Sequence, residues 1–77
     1  MNKMSLEIFT AGIGYVQGNA QKLRTEYGEN YIAVLGEQGV IDSDKDQSAL
    51  VRRVAGKGKR GLLVTTISDI TDPHTID

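Results

Sequence analysis

Three carboxylates stand at alternate positions in the stretch DSDKD: Asp42, Asp44 and Asp46. Oxygen donors at every second residue match the first three ligand positions of a calcium-binding loop, which wraps the hard cation in about six to eight oxygens. That loop also needs glycine at its sixth position, for a sharp turn, and a bidentate glutamate at its twelfth. Gln47 and Arg53 stand there instead. No metal site is therefore assigned. The acids are expected to serve the N-terminus of a following helix, with Ser43 to Asp46 in the S-x-x-D arrangement of a capping box.

Glycines raise a second possibility. GKGKRG, residues 56–61, has the letters G-x-G-x-x-G, yet a dinucleotide loop must follow a strand and open a helix, so that free N–H groups and the positive dipole end face the pyrophosphate. This stretch follows a helical pattern and precedes a strand-like one, which puts it at the wrong end of its helix. A P-loop is excluded as well, because Leu62 and Leu63 occupy the places of its lysine and hydroxyl residue. The glycines are expected to stop a helix and turn the chain, with Arg52, Arg53 and Lys57 complementing the C-terminal dipole. Upstream, Gly12, Gly14 and Gly18 can be read as a glycine loop between a strand and a helix, with Glu37 where a ribose-binding acid could fall, although the helical stripe begins at Ile13, inside that pattern. One such unit leaves too few parallel strands to form a dinucleotide crevice. No cofactor is assigned.

Nucleophilic and acid–base chemistry find little material. The chain has one histidine, His74, behind Pro73, and no cysteine. Ser43, Thr65 and Thr66 have no evident base, so no catalytic residue is assigned and the protein is expected not to be an enzyme. What does stand out is charge: Arg52, Arg53, Lys57, Lys59 and Arg60 are five of the nine cations. Such a cluster could meet phosphates by counterion release even on a chain of net charge -1. The aromatic residues that would stack bases are few, which makes nucleic acid the less favoured partner.

Positioning any of these groups falls to a small fold. Seventy-seven residues make one domain, and a chain of this size buries only about 60% of its unfolded surface. A composition of 39% hydrophobic and 25% charged residues suits a globular chain. The first residues, MNKMSLEIFTAGIGYV, hold no apolar core of signal-peptide length, and no run approaches a membrane span. A cytoplasmic location without membrane insertion is expected.

Ile13, Val16, Ala20, Leu23 and Tyr27 form one stripe of an amphipathic helix, with Gly28 as its stop. Tyr31 to Leu35 and Val40-Ile41 read as two strands of a hairpin joined through Gly36-Glu37-Gln38-Gly39. Leu50, Val51 and Val54 share a face of a second helix, about Asp46 to Ala55, and Leu62 to Ile67 is a third strand. The fold class is α+β, in the order α-β-β-α-β. A right-handed crossover makes the third strand run with the second and puts the first at the centre of a three-stranded sheet. Residues 1–12 are expected to be weakly structured, 13–67 to form the domain and 68–77 to be a frayed tail. Both helices are expected to cover one face of the sheet. The continuous apolar strands suggest that the other face is not fully wet, and there a protein partner or a second copy of the chain, as in a homodimer, is expected to bind. No small-molecule substrate is evident.

The run from LRTEYG through ENYIAVLGEQGVIDSDKD to a helix, glycine loop and strand resembles the small domains of domain-of-unknown-function family 5678. The likeness covers residues 15–67 and rests on the Tyr-Gly helix end, the YIAV strand and the VIDS segment. It implies an α+β fold and carries no activity, cofactor or catalytic residue to transfer. The cations of GKGKRG and the segment from Ser68 depart from the family pattern. Two functions follow as expectations: a non-enzymatic protein-interaction or accessory module that self-associates, or a nucleic-acid-binding, antitoxin-like regulator using Arg52, Arg53, Lys57, Lys59 and Arg60.

Overall fold

A computed structural model describes residues 5–71. Helix α1, Ser5–Gly18, and helix α2, Ala20–Tyr27, precede strand β1, Tyr31–Val34. A 3-10 turn, Gly36–Gln38, leads into strand β2, Val40–Asp44, and helix α3, Gln47–Ala55, leads to strand β3, Leu63–Thr65; helix α4, Ile67–Thr71, follows. The sheet order is β2-β1-β3, and β1 is antiparallel to both neighbours. The α+β class, the hairpin and the central place of the first strand are as expected. β3 consequently runs with β2, on the far side of β1.

Residues 5–12, expected to be weakly structured, are instead the first turns of α1. The apolar stripe begins earlier than Ile13: Ile8 and Gly12 continue it towards the N-terminus, and Val16 is fully buried. Gly12 is buried on the face turned to the sheet, where a Cβ would lie 3.4 Å from Val34 Cγ1, an ordinary contact distance. The stripe predicted as one helix is broken at Asn19. Its Nδ2 donates to the Tyr15 carbonyl at 2.8 Å, and its backbone N–H reaches the Tyr15 and Val16 carbonyls. A side chain that bonds back to the preceding turn competes with the helical ladder, and Gly18 beside it offers little resistance. Both segments still feed one core, through Val16 and Leu23.

In the hairpin, Tyr31 faces Asp44 and Ala33 faces Asp42, and the register then slips so that Val34 faces Val40 and Ile41 is the extra residue of a bulge. The loop closes by Leu35 N–H donating to the Gly39 carbonyl at 3.0 Å. Gly39 has φ 85°, and a Cβ there would meet the Tyr15 ring at 2.7 Å. Only glycine meets both demands, a left-handed backbone and an aromatic ring laid directly on it.

The strand alternation sends Ile32 and Val34 to one side, where they join Val16, Leu23, Leu63 and Ile67. Ala33 points to the other side and packs with Leu50 and Val54 of α3, flanked by Tyr31, Ile41, Leu62 and Val64. The expectation that both helices share a face is therefore corrected: α1, α2 and α4 cover one side, and α3 covers the other. An apolar run without alternation marks a strand buried on both faces. Here the second cover is the chain's own helix, so the face expected to receive a partner or a second copy is filled.

Ile67, expected to end the third strand, instead opens α4 and is fully buried in the larger core. The expected tail also begins with structure, since Ile70 packs against that core. Arg24 Nη2 donates to Thr71 Oγ1 at 2.6 Å, and Ser68 Oγ donates to Glu29 Oε1 at 3.3 Å. Both bonds tie α4 to α2 and the segment that follows it. Residues 72–77, with His74, lie outside the described residues. Among the described residues no helix is long and apolar enough to cross a membrane.

Candidate binding surface

Asp46 caps α3, accepting the Ser48 N–H at 3.0 Å. Asp44 Oδ1 accepts the Asp46 N–H at 2.8 Å, and Asp42 Oδ1 accepts its neighbour Ser43 N–H at 2.8 Å. One of the three acids thus performs the predicted capping, and the other two sit on β2. In its last turn, α3 brings Arg53 back over that strand. Arg53 Nε donates to Asp42 Oδ2 at 3.0 Å and Nη2 to Asp42 Oδ1 at 3.1 Å, while Nη1 donates to Asp44 Oδ2 at 2.8 Å. Nη2 also donates to the Ser43 carbonyl at 3.1 Å.

The two carboxylates that could open a calcium loop therefore have a cation, and it comes from the very position where that loop would need glutamate. The electrostatics follow from this contact. The guanidinium hydrogen bond holds Asp42 below the usual carboxylate range, against a smaller opposing effect of burial. Asp44 is lowered first by the Asp46 N–H and then by Arg53. The two carboxylates in turn raise Arg53. Among the described residues no group of three or more His, Asp or Glu side chains is arranged to hold a metal.

The clamp has a second consequence. β2 is an edge strand, and such edges carry unpaired backbone groups that invite another chain. At Ser43 both groups are occupied, the N–H by Asp42 and the carbonyl by Arg53.

Five cations that are neighbours in sequence are thus not one patch. Arg53 is consumed by the fold. Arg52, the adjacent helical residue, points about 100° away around α3 and lines a shallow surface beside Gln47, Ser48 and Val51. Lys57 is exposed just past the helix end, close enough for its charge to bear on Asp42. Lys59 and Arg60 lie on the loop into β3 and border a groove of about 410 Å³. GKGKRG is a helix exit, as expected, although Gly56 keeps a helical backbone and the positive φ comes later, at Gly58 and Gly61.

The groove was not legible in the sequence. Ile8 and Ala11 of α1 and Leu35 of the hairpin supply its apolar lining, and Gly36, Glu37 and Gln38 of the 3-10 turn complete it. Ile8 Cγ2 comes within 3.2 Å of where a Cβ on Gly36 would lie, so helix and turn are in close contact. The available signal was the three-residue spacing of Ile8 and Ala11, hidden behind the glycines at 12 and 14. Leu6 and Phe9, 71% and 37% exposed, point to other sides of α1 and do not line the groove. A comparison with protein-family models, curated proteins and solved structures finds no match.

Proposed function

We propose that the protein is a small cytoplasmic, non-enzymatic interaction module that binds a protein partner in the groove between α1 and the hairpin turn. The observation that carries this is the groove itself: an apolar lining with Lys59 and Arg60 at its border. Its volume of about 410 Å³ falls in the range of pockets that take a small ligand or a few side chains. Among the described residues the ion pairs are those of Arg53 with Asp42 and Asp44, which leaves the charges of Lys59 and Arg60 for a partner.

The kinship with domain-of-unknown-function family 5678 belongs to the same proposal, supported by the sequence of helix, hairpin, helix and strand. The nucleic-acid alternative has less support. Its cation cluster is divided, with Arg53 committed to Asp42 and Asp44, and two of its aromatics, Tyr15 and Tyr27, pack against the larger core.

The test fills the groove without changing its charge. Ala11→Tyr puts a ring where a partner would lie. A tagged Ala11→Tyr protein is expected to lose the main protein that co-purifies with the wild type from the native source. Equal recovery by both would rule out the groove as the binding surface.

A further inference from the structure

Given a groove that binds protein, its chemistry selects what enters. We infer that the groove takes a short acidic peptide segment, with an apolar side chain seated against Ile8, Ala11 and Leu35 and a carboxylate drawn to Lys59 and Arg60. This rests on the proposed groove-binding function and goes beyond it by naming the chemical class of the ligand.

The ground is charge complementarity joined to an apolar floor. The two lining cations outnumber the one lining anion, Glu37. A guanidinium binds a carboxylate through two parallel N–H donors, and an ammonium adds a compact charge that adapts to its position. Neither group belongs to the Arg53 clamp, so binding an acid here breaks no ion pair among the described residues. The lining cations lie on a loop joining α3 to β3, outside any regular element, where they are exposed and can reorient. The apolar contacts come from α1 and the hairpin, which pack into the larger core through Val16 and Val34. A nucleic-acid strand would instead engage Arg52 and Lys57 along with Lys59 and Arg60, and would gain nothing from Ile8 and Leu35.

The probe is a capped hexapeptide alternating Leu with Asp, titrated into isotope-labelled protein and followed by amide chemical shifts. Its counterpart carries Asn for every Asp. The acidic peptide is expected to shift amides in residues 8–11, 35–38 and 59–60, with a Kd below about 1 mM. The Asn peptide is expected to bind at least about tenfold more weakly, equivalent to about 1.4 kcal/mol. Lys59→Gln with Arg60→Gln should weaken the acidic peptide by a similar factor, Glu37→Gln should strengthen it, and Arg52→Gln with Lys57→Gln should leave it unchanged.

Equal binding of the two peptides, both abolished by Ala11→Tyr, would overturn the acidic preference and leave the groove function standing. Acidic-peptide binding that survives Ala11→Tyr, or shifts confined to other surfaces, would overturn both. No shifts at about 1 mM of either peptide would overturn the inference. A single-stranded oligonucleotide that shifts residues 52–60 more strongly than the peptide would replace it with nucleic-acid recognition. All these exchanges are at exposed or half-exposed positions, and the unperturbed amides of β1 report in the same spectra that each variant is folded.

Discussion

The two faces of β1 are held by different physics. On one side Ile32 and Val34 meet Val16, Leu23, Leu63 and Ile67, and side chains from three helices close over them. On the other, Ala33 presents a single methyl group, and Leu50 and Val54 of α3 settle against it. A fully buried side chain of the Val, Leu or Ile type contributes about 1.5–3 kcal/mol, so the first face supplies most of the apolar stabilisation. The second face adds a polar clamp at its margin, Arg53 on Asp42, Asp44 and the Ser43 carbonyl. Burial holds the large core together; a small apolar contact and a set of directed bonds hold α3. The lesson concerns small domains. Where volume for a core runs out, a small apolar contact still holds the element, and directed bonds at the margin set its orientation.

The contrast makes a graded set of predictions. Ile32→Ala removes the centre of the larger core and should cost about 3–5 kcal/mol, measured by chemical denaturation, with hydrogen exchange accelerated throughout the chain. Leu50→Ala should cost about 2–3 kcal/mol, the lower end for a buried leucine, because a helix docked on one side can settle into the gap. Its exchange signature should be confined to α3. A global signature equal to that of Ile32→Ala would erase the distinction between the faces.

Gly39→Ala should cost about 1–2 kcal/mol, from a left-handed backbone imposed on alanine and displacement of the Tyr15 ring. The perturbation should reach α1 through Tyr15 and leave α3 quiet. Arg53→Gln should have the smallest effect on stability at neutral pH, because exposed ion pairs are screened by water. Its value lies in the pH dependence. Asp42 and Asp44 are held below the usual range, so their contribution is present above the unfolded carboxylate pKa of about 3.9 and is lost as pH falls through the lower folded values. The wild type should therefore lose more stability than the variant between about pH 5 and strong acid, and the two curves should converge there. Parallel curves would show that the clamp does not hold α3.

Local features were readable from the residues themselves. Asp46 as a cap, Leu50 and Val54 as one helical face, the hairpin around Gly36 to Gly39 and the exit at GKGKRG all depend on neighbours a few positions apart. The break at Asn19 was not readable, because the same stripe of Val16, Ala20, Leu23 and Tyr27 suits one helix or two. Neither was α4: five residues give too few turns for a period, and Ile67 and Ile70 become a buried pair only because a core lies ready to receive them. The cation cluster illustrates the limit best. Five charges within nine residues predict a patch, yet a helix turns consecutive side chains about 100° apart, and the loop then carries the rest elsewhere.

From the sequence alone came the α+β class, the central place of Tyr31 to Leu35 and the need to cover both its faces, because these depend on period and propensity along the chain. Which element covers which face, that Arg53 spends its charge on Asp42 and Asp44, and that Ile8, Leu35 and Lys59 meet around one groove were decided by the tertiary structure. Those outcomes join residues far apart in the chain, and only packing the helices against the two sides of the sheet brings such residues together.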